Sequence, residues 1–146
     1  MAEKGFKELR FFVVAASKCS KPSDEELGAQ FAGVAKVLEE AGALPDKRSA
    51  EFNHQQAFAE SIQCLQWILV SPAPGPFVQS ALESSDFYLS KILSGSKDAT
   101  NKADHRDFVN FDKKILTELQ VYIKRFHTTG LAWNAKGGKF ADFKLK

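Results

Sequence analysis

The sequence predicts an all-α fold, an antiparallel helical bundle of about five helices, on three observations. Apolar residues recur at intervals of three and four along most of the chain, the spacing of one helix face. The β-branched alternation that marks strands is nearly absent, and thirteen of the seventeen aromatic residues are Phe. Capping residues before the apolar runs and Gly or Pro after them divide the pattern into segments joined mostly by short connections. Short connections favour antiparallel neighbours crossing at about 20°.

The first helix carries Phe6, Leu9, Val13 and Ala16 and must end before Pro22. Ser23 and Glu26 form a capping box that opens the second, whose stripe Leu27, Phe31, Val34, Leu38 and Ala41 runs to Gly42 and Pro45. The third begins between Ser49 and Asn53, with Asn53 and Gln56 as a second possible box, and continues to Val70. From Ile62 onward nearly every residue is apolar, as expected of a central helix. Pro72, Pro74, Gly75 and Pro76 then make a rigid corner, with Pro74 or Pro76 in the first turn of the fourth helix. That helix carries Phe77, Ala81, Tyr88 and Ile92 and ends near Gly95. A polar loop leads to the last, which has the cleanest period of all: Phe108, Phe111, Ile115, Leu119, Tyr122 and Phe126, with Val109, Leu116 and Ile123 widening the stripe, closed near Gly130. Residues 1–134 thus read as the bundle and 135–146 as a basic flexible tail or the start of a linker.

A chain of 146 residues allows one domain at about 100 to 200 residues per domain. A net charge of +2 falls short of the basic balance of a nucleic-acid module. Cys19 and Cys64 are too few for a disulfide framework or a four-cysteine zinc site, and read as buried thiols of a reducing compartment. No apolar run approaches the roughly 18 residues of a membrane span, and the start is a poor signal peptide, so no membrane insertion is expected and the chain reads as cytosolic.

The sequence carries no recognisable catalytic signature. There is no G-x-S-x-G elbow, and Lys136-Gly137-Gly138-Lys139 lacks the spacing of a nucleotide loop. His54, His105 and His127 never fall at helical metal-ligand spacing. The aspartates around Asp107 interleave with lysine and arginine, as on a solvated helix face. No catalytic residue, metal or cofactor is expected. Trp67 reads as core, whereas Trp133 either folds back over the bundle end or is exposed for a partner.

Three stretches are more specific than helix periodicity requires: Arg48 to His54 leading to Glu60-Ser61-Ile62, Pro74 to Val78, and Tyr122 to Trp133. Together they resemble the N-terminal helical folded domain of cyclase-associated protein. Weaker similarity extends the match from about Phe12 to Asn134. The resemblance implies a non-enzymatic domain in the cytoplasm, at the actin cytoskeleton or cell cortex. Such a domain engages cofilin-decorated actin at filament pointed ends and helps release terminal subunits. Adenylyl cyclase binding is implied only through family segments absent from this sequence.

The resemblance nominates Arg48, Ser49, Asn53, His54, Lys124 and Thr128 as actin or cofilin contacts. Arg48 stands out because its planar guanidinium suits carboxylates; Asn53 has helix capping as its alternative role. The match begins partway through what resembles the family's second helix, so the bundle is expected to be a truncated version of a six-helix one. The face left uncovered would favour a homodimer. Phe108 stands where relatives have tryptophan, and Gln55-Gln56 where they have a more apolar pair. The rival reading is a dimerising scaffold or cyclase-linked adaptor with no direct effect on actin.

Overall fold

In the computed structural model, which describes residues 1–145, α1 (Ala2–Lys18) turns Leu9, Phe12, Ala15 and Ala16 inward and stops where Cys19 takes up extended backbone. The α2 helix (Asp24–Gly42) opens as expected. The Ser23 hydroxyl accepts the Glu26 backbone N–H at 3.2 Å, and three acidic residues occupy the first turn, where the helix dipole favours them. Its buried residues are Val34, Val37 and Ala41.

The expected third helix is two elements. α3 (Phe52–Ser61) gives way to a 3₁₀ segment over Ile62–Leu69. The change falls at Ser61, whose hydroxyl lies 2.8 Å from the Ala57 carbonyl. The tighter winding suits a segment that is apolar on every side. Ile62, Cys64, Leu65, Trp67 and Ile68 are all buried, and three residues per turn distribute such side chains around the axis instead of along one stripe. The central position is as the sequence predicts, because the 3₁₀ segment packs on α1, α2, α3 and α4.

The α4 helix (Pro74–Gly95) has proline in its first turn, and α5 (Lys102–Phe126) runs back beside it. Gly130, just past α5, adopts φ +119° with the Val70 carbonyl 3.1 Å from where a β-carbon would sit. Both facts require glycine there. Most of the core gathers around Phe12, Leu65 and Trp67; a smaller cluster of Ala57, Leu89, Ile92 and Val109 joins α3, α4 and α5.

Two expectations need correction. First, α5 buries one edge of its wide apolar stripe: Val109, Leu116 and Ile123, the residues that widen it, face the core with Leu119, while Phe111, Ile115 and Phe126 of the main period remain 63%, 46% and 60% exposed. The apolar arc of α5 is wider than its neighbours cover. Second, the segment after Trp133, expected as a free tail, packs on α1 as far as Phe143. The Asn134 N–H reaches the Ala16 and Cys19 carbonyls, the Ser20 N–H donates to the Gly138 carbonyl, and the Gly138 N–H donates to the Lys18 carbonyl. A β-carbon at Gly137 would strike the Lys18 carbonyl. Phe140 is buried against Phe11, Phe12 and Trp133, so Trp133 serves as a staple.

Candidate functional site

The nominated residues fall at opposite ends of α5. Arg48, Ser49, Asn53 and His54 lie on the α2–α3 turn and the first turn of α3, next to His105 in the first turn of α5. Lys124 and Thr128 lie at its far end. Nineteen residues of helix separate His105 from Lys124, about 28 Å.

At the first end the turn is held by its own polar groups. The Asp46 carboxylate accepts the Arg48 N–H at 2.9 Å, its carbonyl accepts the Ser49 N–H, and its own N–H reaches Gln55 Oε1 at 3.0 Å. Gln55 therefore pins the turn. Ser49 Oγ accepts the Glu51 N–H at 3.1 Å. Asn53 is half-buried inside the first turn of α3 and makes no side-chain cap, so capping is not its role. The Arg48 side chain is exposed and has no ion-pair partner among the described residues.

His54 is half-buried. Its Nε2 lies 2.9 Å from His105 Nδ1, its Nδ1 is 3.5 Å from a Glu51 carboxylate oxygen, and its ring packs on Phe108. The His54 pKa is lowered, chiefly by burial; Glu51 opposes that shift and His105 adds to it. One hydrogen between the two rings requires at least one neutral imidazole. A cleft of about 250 Å³ opens beside the pair, lined by Glu51, Asn53, Lys91, Ser96 and both histidines among others. No local spacing could have paired residues 54 and 105; only the packing of α3 on α5 brings them together.

At the second end the polar groups are occupied by the backbone. Thr128 Oγ1 donates to the Lys124 carbonyl at 2.7 Å and closes α5. His127 contacts the Tyr122 hydroxyl at 3.0 Å and packs on Trp67, and burial lowers its pKa. The proline corner belongs to this end: Ser71 Oγ donates to the Thr129 carbonyl at 3.1 Å, tying the entry to α4 to the exit of α5. The Lys124 ammonium takes part in none of these contacts and, like the neighbouring Arg125, has no ion-pair partner among the described residues.

Among the described residues no three His, Cys, Asp or Glu side chains converge on a common point, and no helix is long and apolar enough to cross a membrane. Both cysteines are buried free thiols, and burial with the nearby Asp112 pushes Cys64 up to about 12.

Residues 1–131 match the family profile described as CAP, N-terminal domain. Over 139 residues, 94% of the chain, the sequence is 40% identical to human adenylyl cyclase-associated protein 1 and 34% identical to human adenylyl cyclase-associated protein 2. The chain spans 29% of the length of these relatives. Among solved structures, the N-terminal domain of the adenylyl cyclase-associated protein from Dictyostelium discoideum superposes with a TM-score of 0.90 at 33% identity, covering 98% of this chain and 81% of that one. A crystal structure of the N-terminal domain of CAP, described as indicating variable oligomerisation, superposes with a TM-score of 0.90 at 34% identity. It covers 97% of this chain and 77% of that one.

Proposed function

The chain belongs to the CAP N-terminal domain family, and from that membership we propose that it regulates actin by binding cofilin-decorated filaments at their pointed ends and promoting release of terminal subunits. The observation that carries this reading is the α2–α3 turn. It presents an unpaired Arg48 guanidinium on a backbone fixed by Asp46 and Gln55, beside the His54–His105 cleft. A planar donor fork held on a rigid turn binds carboxylates with little ordering cost. Ser49, Asn53 and His54 extend that contact, and Lys124 adds a peripheral charge near Thr128.

The mechanism needs no catalytic group and no cofactor. A domain that binds the loosened terminal subunit better than the filament subunit shifts that equilibrium by its differential affinity, and about 1.4 kcal/mol changes the populations tenfold. The working place is the cytoplasm, at the actin cytoskeleton or cell cortex, with actin and cofilin as partners. The chain acts as a homodimer, a state tested by its mass in sedimentation at micromolar concentration.

The decisive experiment follows single fluorescent filaments shortening from their pointed ends with cofilin, with and without the chain. Faster shortening only with both supports the reading. An unchanged rate with retained self-association favours the rival, a scaffold linked to adenylyl cyclase as the names of its relatives indicate.

A further inference from the structure

The contact between His54 and His105 lies in a cleft open to solvent, walled by α3, α4, α5 and the loop between the last two; α1 contributes no residue to it. His54 Nε2 and His105 Nδ1 are 2.9 Å apart, with the rings tilted by 50°. Only one hydrogen fits between them, so at least one of the two nitrogens turns a lone pair toward the other. The same separation suits a metal ion. Two imidazole nitrogens bound at about 2.05 Å and at right angles to one cation lie about 2.9 Å apart, and at the tetrahedral angle about 3.3 Å apart. The pair is therefore spaced as two adjacent ligands of a tetragonal ion, and a small opening of the rings admits a tetrahedral one.

The surroundings favour such a cation. On the far side of the His54 ring, Nδ1 is buried without a hydrogen-bond partner, 3.5 Å from a Glu51 carboxylate oxygen. A carboxylate behind a ligating histidine fixes its tautomer and raises its basicity, which leaves Nε2 to carry the lone pair. Burial lowers the His54 pKa, so at neutral pH no proton has to be driven off that ring to make it a ligand. The Lys91 ammonium also lines the cleft, but it is held over the Phe87 ring, 4.3 Å from the centroid, on an aromatic face that is not part of the lining. Asn53, Ser96 and Asn101 line the same cleft and offer oxygen atoms to metal-bound water.

We propose that His54 and His105 form a two-point site for a divalent transition-metal cation of the imidazole-preferring class, Cu2+, Ni2+ or Zn2+, with water completing its coordination. Among the described residues no third His, Cys, Asp or Glu side chain converges there, so the site is a clamp across the first turns of α3 and α5 and not a closed structural cage. Nothing in the sequence announces it, because the two ligands are 51 residues apart. The site is independent of the actin reading, and the chain alone suffices to test it.

Calorimetric titration of the full chain should show one equivalent of Ni2+, Zn2+ or Cu2+ bound, Cu2+ most tightly, and no Mg2+, which prefers oxygen ligands. Substoichiometric Cu2+ should broaden amide signals centred on the first turns of α3 and α5, a readout that requires no variant. His54→Gln and His105→Gln, which keep a polar group in the cleft, should each weaken Ni2+ binding at least tenfold, and Glu51→Gln by about tenfold. His127→Gln, at the other end of α5, should leave the affinity unchanged. Binding should weaken as the pH falls below about 6.5, because protons then compete for the ring nitrogens. Should a histidine variant fail to fold, the broadening map of the wild-type chain still decides. Absence of a bound equivalent, broadening centred on the terminal amine or on His127, or Ni2+ affinity that survives in His54→Gln or in His105→Gln would overturn the proposal. So would Mg2+ bound as tightly as Ni2+, since that would make the contact one of charge and not of imidazole ligation.

Discussion

The two ends of α5 carry similar residue types and use them in opposite ways. At the amino-terminal end, His105 meets His54 across an open cleft, and the adjoining turn is braced by Asp46 and Gln55 so that the Arg48 guanidinium stays free. At the carboxyl-terminal end, His127 is packed on Trp67 and bonded to Tyr122, Thr128 closes the helix, and Ser71 clasps Thr129. One end uses its polar groups to hold a surface open; the other uses them to hold the chain together. A histidine or threonine therefore says little about binding until its hydrogen-bond partners are known.

The largest effect expected is at the open end. Arg48→Ala combined with His54→Ala should reduce cofilin-dependent pointed-end shortening about tenfold, a loss of about 1.4 kcal/mol in transition-state or binding terms. Arg48→Ala alone should lose most of that activity while leaving the thermal midpoint unchanged, because its side chain is exposed and unpaired. Retained activity in the single and double variants would move the contact surface elsewhere.

At the closed end the effect should appear in stability instead. Gly130→Ala forces a side chain onto φ +119° and into the Val70 carbonyl, costing about 2 kcal/mol. For a chain of this size that lowers the melting temperature by about 4 to 8 °C. Pointed-end activity measured below that transition should be unchanged, which would separate the two ends cleanly.

How much of this is written in the sequence depends on the range of the interaction involved. Ser23 with Glu26, Pro74 at the start of α4 and Gly130 after α5 are local signals, and each sits where its chemistry requires. The apolar period of α5 located the helix but not its buried side, because Val109, Leu116 and Ile123 and the stripe Phe111, Ile115 and Phe126 are equally regular. Which side faces inward is decided by α3 and α4, not by α5. The His54–His105 contact and the return of Phe140 to α1 join residues far apart in sequence. The change from α to 3₁₀ winding at Ser61 has no local sequence signal, since Ser80 makes the same hydroxyl-to-carbonyl bond inside an unbroken α4.

Acid should affect both ends, and local measurements should tell them apart. Burial lowers the pKa of His54 and of His127 below the ordinary 6.5. The folded state therefore binds these protons less readily than the unfolded chain. The stability this contributes is complete above about pH 6.5 and declines as the pH falls toward the lowered values. Glu51, His105 and Lys91 face His54 in the cleft and set the size of its share. His54→Gln should flatten part of the decline between about pH 7 and pH 5 and remove acid-induced hydrogen exchange from the first turn of α3. His127→Gln should do the same for the last turn of α5. A single global decline, insensitive to either variant, would show that the two ends are not independently titrated.

The smallest effect expected is that of Lys124→Ala. The Lys124 ammonium has no ion-pair partner among the described residues, and its backbone carbonyl already accepts the Thr128 hydroxyl, a bond the substitution leaves in place. Removing the cation weakens a favourable interaction with the carboxyl end of the helix dipole by about 0.3 to 1 kcal/mol, and the loss should shrink in high salt as the charge is screened. If Lys124 lies only at the margin of the actin contact, shortening should change by less than about twofold at moderate salt. A loss as large as that of Arg48→Ala would mean that the contact spans the whole length of α5, and that the closed end is a surface as well as a clasp.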